Sequence, residues 1–356
     1  MTHVTVVRPY VRVIAKDAES VRRRLAGLGL IDGECKVQKD ETTVYFPLRR
    51  FPNDEELAQI GSDMVIETST REFQPLRSGP KDLAEALRGV LEPEEIELLP
   101  RAYDLVGDIA VLEIPDELFE HRFLIGRAFH RLHPNFATVL CKRGAVTGLT
   151  RVRNYEVLSG EPKTDTIHTE YGCRIAVDLA KAYFSPRLLE EHHRVALLVR
   201  DGEKVLDMFT GVGPFALHIA RLHTAEVIAV DINPHAIDLL KKSIQLNRLR
   251  GTIRPVVADA HEYVPTAFDH NVDRVIMNHP SGVSEFVEDA CTAVRPGGVI
   301  HYYDFIGGQN PEDELVSKAH RLVRNAGRAI KEVSSIRRVR DSAPHEYQMV
   351  LDAVIE

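Results

Sequence analysis

Cysteine is scarce in this chain. Cys35, Cys141, Cys173 and Cys291 are scattered with no C-x-x-C pair, so neither a zinc cluster nor a disulfide framework is indicated. Histidine is plentiful, yet no set has metal-ligand spacing. His192 and His193 are adjacent and diverge on a helix, and His218 and His223 have the wrong helical offset, so surface or capping roles are expected. No apolar run approaches a membrane span, and the opening MTHVTVVRPYVRV lacks signal-peptide architecture; a cytoplasmic protein with no membrane partner and no required metal is expected. Net positive charge is lacking too. The formal charge of -8 speaks against a generally sticky polyanion binder, but basic clusters at Arg22, Arg23 and Arg24, at Lys142 and Arg143, at Arg151 and Arg153, and at Arg337, Arg338 and Arg340 leave room for a local basic face.

What is present describes an ordinary globular chain: 356 residues, 44% hydrophobic and 28% charged, enough for two or three domains with large cores. Its organising stretch is Val205 to Asp231, VLDMFTGVGPFALHIARLHTAEVIAVD. An apolar strand passes through a turn with Gly211 and Gly213 into a helix, and a second strand ends in Asp231, which makes a βαβ half-unit with both strands buried under helices. The glycines allow a tight turn and close approach of a ligand, the helix N-terminus offers free N–H groups, and the acid is placed to accept from ribose hydroxyls. NPHAIDLLKKSIQLNRL reads as the next helix, IRPVVADA as a strand ending in Asp259, and DRVIMNHPS as a strand ending in Asn278 and Pro280. In a doubly wound sheet these strand ends line one crevice. The third glycine of the dinucleotide fingerprint is missing, its place filled by Pro214 and Phe215, which points to S-adenosylmethionine and away from a pyrophosphate cofactor.

On DMFTGVGPFA, DINPHAIDLLKKSIQLN, the N-x-P of VIMNHP and the later GGVIHYY, the chain resembles the archaeal and eukaryotic tRNA guanine-N1 methyltransferases, which methylate the guanosine just 3′ of the anticodon. The resemblance implies an α/β fold, a Rossmann-like class I methyltransferase domain preceded by two smaller α+β modules. Residues 1–72 read as the first module, with strands at PYVRVIAKD and TTVYFPL and a helix in DAESVRRRLAGLGLI. Residues 73–81, rich in Pro, Gly and basic side chains, read as a linker. Residues 82–160 form the second module, whose DELFEHRFLIGRAFHRLHP reads as one long amphipathic helix with Phe119, Phe123, Leu124 and Phe129 on its apolar side. Residues 161–356 form the methyltransferase domain, and in it SPRLLEEHHRVALLV opens a helix with Ser185 as N-cap and Pro186 at N1. The partner implied is tRNA, gripped at the anticodon loop and, through the first module, at its outer corner; a monomer is expected.

Guanine N1 carries a proton, so methylating it needs a general base, and the charge pushed onto O6 needs a fixed cation or donor. By resemblance the S-P-R-L-x-x-E segment places the base at Glu191, the basic residue upstream of L-x-G-E matches Arg151, with Arg153 the second candidate for O6, and the N-x-P segment makes Asn278 a contact to the guanine amino group. The donor pocket implied comprises Asp207, Phe209, Gly211, Gly213, Asp231, Ile232, Asp259, Ala260, Asn278 and Pro280. Glu190 and His192 depart from the family around the base, and His279 stands where an apolar residue is expected. Three alternatives stand beside this reading: a wybutosine-pathway relative (an aminocarboxypropyl transferase or a methyltransferase on the tricyclic base), a methyltransferase acting on protein or a small molecule, and a non-catalytic RNA-binding protein of the same fold. Asn278-x-Pro280 favours methyl transfer over aminocarboxypropyl transfer.

Overall fold

The computed structural model describes residues 5–62, 64–76, 80–147, 152–343 and 345–356. The chain divides into two compact units, residues 1–96 and 97–356. In the first, the strands Gln38–Lys39, Thr43–Pro47, Val6–Ile14 and Glu67–Phe73 form one antiparallel sheet in that spatial order. Alternation along the third of these sends Val11 and Val13 inward, where they meet Val21 and Leu25 of the helix Ala18–Gly27 and Ile60 of the helix Asp54–Gly61. The second helix begins at a capping box, Asn53 accepting from the Glu56 N–H while the Glu56 side chain accepts from the Asn53 N–H.

The second unit opens with a four-stranded sheet made of Tyr103–Val106, Ile109–Leu112, Thr138–Thr147 and Val152–Gly160. Its helix is shorter than the pattern predicts: a 3-10 stretch covers Asp116–His121 and the α-helix only Arg122–Leu132. The buried face also differs. Leu118, Ile125, Ala128 and Phe129 are inside, whereas Phe123 is 37% exposed, and Arg122 lies over the rings of both Phe119 and Phe123. Packing against Leu158, which a side chain on Gly126 would strike, rotates the helix away from the aromatic face.

The main sheet has seven strands: β1 Lys204–Asp207, β2 Glu226–Asp231, β3 Thr252–Val257, β4 Val272–Met277, β5 Val294–Gly307, β6 Ile330–Ala343 and β7 Glu346–Ile355. Their spatial order is β3-β2-β1-β4-β5-β7-β6; β1 to β5 are parallel, and β7 runs antiparallel to both of its neighbours, β5 and β6. Period-two alternation sorts the side chains into two cores: Val205, Val227 and Ala229 pack under helices α1 Leu189–Leu198, α2 Pro214–Leu222 and α3 Pro234–Leu246, while Leu206, Ile228 and Val230 pack under α4 Ala260–Ala267, α5 Val287–Ala293 and α6 Pro311–Asn325. The order reverses direction at β1, so the crevice at the carboxyl ends of β1, β2 and β4 opens there. Before α1 the chain forms a 3-10 turn, Pro186–Leu188; Ser185 stands at its N-cap, but its side chain makes no capping hydrogen bond. Among the described residues no helix is long and apolar enough to cross a membrane.

Candidate active site

The turn after β1 is held by the acid that ends β2. Asp231 accepts from the Gly211 N–H at 2.7 Å through one carboxylate oxygen and from the Asn233 N–H at 2.8 Å through the other. Burial pushes its pKa up, against the lowering pull of those two N–H groups. The two glycines do different jobs. Gly211 has φ +56° and a side chain there would meet only the Tyr183 carbonyl at 3.7 Å, so it serves the turn and the open approach beside it. Gly213, φ +81°, is the N-cap of α2, and a Cβ there would lie 2.2 Å from Leu240 of α3; it serves helix packing.

A cavity of about 260 Å³ opens at this edge. Phe209, Gly211, Asp231, Ile232, Asp259, Ala260, Asn278 and Pro280 all line it, so eight of the ten expected donor-pocket residues come together. Asp207 and Gly213 lie outside the lining. Asp207 is fully buried beneath it; burial raises its pKa to about 7, and the nearby Asp231 adds to the rise. Neither Asp207 oxygen nor the neighbouring Thr210 hydroxyl completes a hydrogen bond of normal geometry. Asp259 caps α4, accepting from the His261 N–H at 2.9 Å. Phe209 packs edge-on against Phe286 at 4.8 Å between ring centres and lies 5.0 Å from the His279 ring, so the position expected to be apolar carries an aromatic wall. Acids at the ends of two strands, flat rings at one corner and a glycine that opens the backbone suit a nucleoside with ribose hydroxyls, and S-adenosylmethionine fits this set of residues.

A second cavity, about 200 Å³, shares Tyr183 and Arg340 with the first. Its wall is basic: Lys142, Arg153, Arg187 and Arg340 stand against one acid, Asp104, which accepts from Lys142 at 2.8 Å and from Arg187 at 2.7 Å. Burial pushes Asp104 up, but these hydrogen bonds outweigh it and its pKa is lowered. Arg153 therefore has a place beside the crevice; Arg151 lies outside the described residues.

Glu191 does not line either cavity, although Leu188, three residues earlier, lines the first. Its carboxylate is buried and accepts from Tyr303 at 2.6 Å and from Arg194 at 2.7 and 2.9 Å, with Arg337 at 3.7 Å. Arg194 continues to Asp352, which meets His301. Glu190 diverges from Glu191 as helical geometry requires and accepts from the Tyr171 hydroxyl. The histidines overturn the surface expectation: His192 and His218 are 2% and 1% exposed, and Glu170 lies 2.8 and 3.3 Å from them. Burial raises Glu170, yet the hydrogen bond with His192 and the pull of the His218 ring beside it prevail and hold it near a pKa of about 2. Tyr183, Phe286 and Gln348 are cavity residues that sequence reasoning missed, and Arg340, expected only as part of a basic cluster, lines the cavity with them. Arg340 and Gln348 belong to the β6–β7 pair, whose strand register carries no local motif.

The TRM5/TYW2 methyltransferase domain matches residues 166–335, the TYW2 N-terminal domain residues 83–164, and the tRNA methyltransferase 5 N-terminal domain residues 11–56. The tRNA (guanine(37)-N(1))-methyltransferase Trm5b of Pyrococcus abyssi is 36% identical over 344 residues, covering 96% of this chain and 97% of its own length. The solved complex of aTrm5 with tRNALeu superposes with a TM-score of 0.81 at 34% identity, covering 98% and 99% of the two chains. The M. jannaschii TYW2 structure in complex with AdoMet superposes with a TM-score of 0.56 at 25% identity, covering 72% of this chain and 99% of that one.

Proposed function

Because the chain belongs to the tRNA (guanine-37-N1)-methyltransferase family, we propose that it methylates N1 of guanosine 37, the nucleotide 3′ of the anticodon, using S-adenosylmethionine. The observation that carries this reading is the shared cavity wall, on which the Gly211–Asp231 cradle and the Asn278-x-Pro280 segment face one space joined to a basic chamber. When bound, the cofactor supplies an electrophilic methyl group on a sulfonium. The protein's own residues do the rest. Asp231 and Asp259 orient the nucleoside part, and the rings of Phe209 and Phe286 flank its base. The basic chamber receives the flipped target nucleotide and its phosphates. Glu191 takes the N1 proton, its carboxylate exchanging the Tyr303 hydroxyl for N1–H as the base arrives. Arg151, or Arg153 from the chamber wall, stabilises the charge that builds on O6.

Three parts divide the work: residues 1–72 engage the outer corner of the tRNA, 82–160 lead to the chamber, and 161–356 perform transfer, in a monomer acting in the cytoplasm. A second reading, transfer of the aminocarboxypropyl group of the same cofactor in the wybutosine pathway, has in its favour the match of residues 83–164 to the TYW2 N-terminal domain. Incubating the protein with unmodified tRNA bearing guanosine 37 and methyl-labelled S-adenosylmethionine, followed by nucleoside mass spectrometry, decides between them. 1-Methylguanosine at that site establishes the first reading. Product only with tricyclic wybutosine precursors replaces it with the second, and no product from either leaves an RNA-binding protein.

A further inference from the structure

Arg340 on β6 and Gln348 on β7 are direct partners across the strand pair. The Arg340 Nε donates to the Gln348 Oε1 at 2.7 Å, and the Gln348 Nε2 donates to the Asn278 Oδ1 at 3.1 Å. Gln348 is 1% exposed, so water does not substitute for either partner. Asn278 follows the end of β4 and lines the first cavity, whereas Arg340 lines both cavities and also reaches the Tyr183 hydroxyl at 3.4 Å.

The direction of this chain is forced. A guanidinium has donors only, so the Gln348 atom facing it is the amide oxygen. The other end of that amide is then an NH₂, and the Asn278 atom facing it must be an oxygen. An isolated amide can sit either way round, but here one arginine orients two amides in series. Of Asn278, the Nδ2 donor is left wholly to anything entering the cavity, while its Oδ1 already accepts from Gln348 and keeps one lone pair.

We propose that Arg340 and Gln348 are positioning residues that hold Asn278 as a hydrogen-bond donor to the target base, against O6, the guanine acceptor whose charge grows as the N1 proton leaves. The inference rests on the methyl-transfer reading and sharpens it, because an amide held in this sense offers O6 an uncommitted donor while its oxygen is already engaged by Gln348. Gln348 acts through Asn278 and does not touch the base.

The test is a double-mutant cycle on single-turnover methyl transfer, with cofactor and tRNA affinities measured alongside. Gln348→Glu keeps an acceptor for Arg340 but turns a second acceptor towards Asn278, so the asparagine amide must flip. The expected result is a rate lower by roughly 10- to 100-fold with affinities within about 3-fold. In an Asn278→Ala background the same change has no further effect, since the group it positions is gone. Gln348→Met, uncharged and of similar length, gives a second entry into the cycle should the glutamate variant fold poorly. Asn278→Ala is also assayed on tRNA with inosine at position 37, which lacks the 2-amino group but keeps O6; the penalty is expected to be the same on inosine as on guanosine. Additive effects in the cycle, or an Asn278→Ala penalty that vanishes on inosine, would overturn the proposal while leaving methyl transfer intact. Absence of any methylated product with the wild-type protein would instead overturn the underlying reading.

Discussion

Tyr303 donates its hydroxyl to the Glu191 Oε1 at 2.6 Å inside the fold, and Arg194 donates to both oxygens of the same carboxylate. Burial, reinforced by Glu191, pushes the Tyr303 pKa far above the ordinary value, so the tyrosine stays a donor at any working pH. Glu191→Gln keeps an oxygen for Tyr303 and removes the charge that would take a proton. Cofactor and tRNA binding are expected to persist while the single-turnover rate falls by about 100-fold or more, the range of lost general-base catalysis. A wild-type rate in this variant would show that the proton goes elsewhere.

Asp231 fixes two backbone N–H groups at once. Asp231→Ala removes both anchors from the glycine turn and the acid from the cavity. Calorimetric titration with S-adenosylmethionine is expected to show affinity weakened by at least about 10-fold, with a smaller loss of tRNA affinity; each hydrogen bond lost to a charged acceptor is worth about 1.5–3 kcal/mol. Unchanged cofactor affinity would detach Asp231 from the donor pocket.

Asp207 gives a pH signature. It titrates near 7 in the fold, against 3.8 ordinarily, because burial opposes its charge. A raised acid pKa favours the fold below the ordinary value and loses that contribution as pH rises towards 7. Asp207→Asn, which cannot ionise, should therefore show little change in relative stability near pH 4 and a gain approaching at most about 4 kcal/mol above pH 7. Denaturant melts at pH 4, 6 and 8 check this, and a gain independent of pH would contradict the raised pKa.

The two glycines of the turn should separate by phenotype. Gly213→Ala forces a side chain against Leu240 at positive φ and is expected to destabilise the protein by about 1–3 kcal/mol. Gly211→Ala meets the same backbone strain without a clash, so its larger effect should fall on cofactor binding. Thermal melts and cofactor titrations on the pair decide the matter, and equal stability losses would dissolve the distinction.

Much of this was legible in the chain because the sheet is parallel there. Apolar strands read directly, and a parallel order brings Asp231, Asp259 and Asn278 to one edge without knowledge of any contact. Contacts between distant segments were not legible. Glu170 draws His192 and His218 into the interior, and nothing in the spacing of the histidines announces a carboxylate 22 positions before the first. Arg340 and Gln348 depend on the register of two strands whose pairing slips at several points. Ser185 shows the limit of a local rule: proline at the first turn was correct, but the turn is 3-10 and its serine leaves the cap unmade. The glycine pair looked like one device, and only the position of Leu240 on another helix divides it.

The place of β7 between β5 and β6 has a consequence for synthesis. A nascent chain on the ribosome presents β1 to β5 first, but β6 has no neighbour in the sheet until residues 346–355 have emerged and inserted beside β5. That late strand brings Gln348 to Asn278 and Asp352 to Arg194 in one event. A chain cut before residue 346 would thus hold a nucleoside crevice without the side chains that orient its far wall.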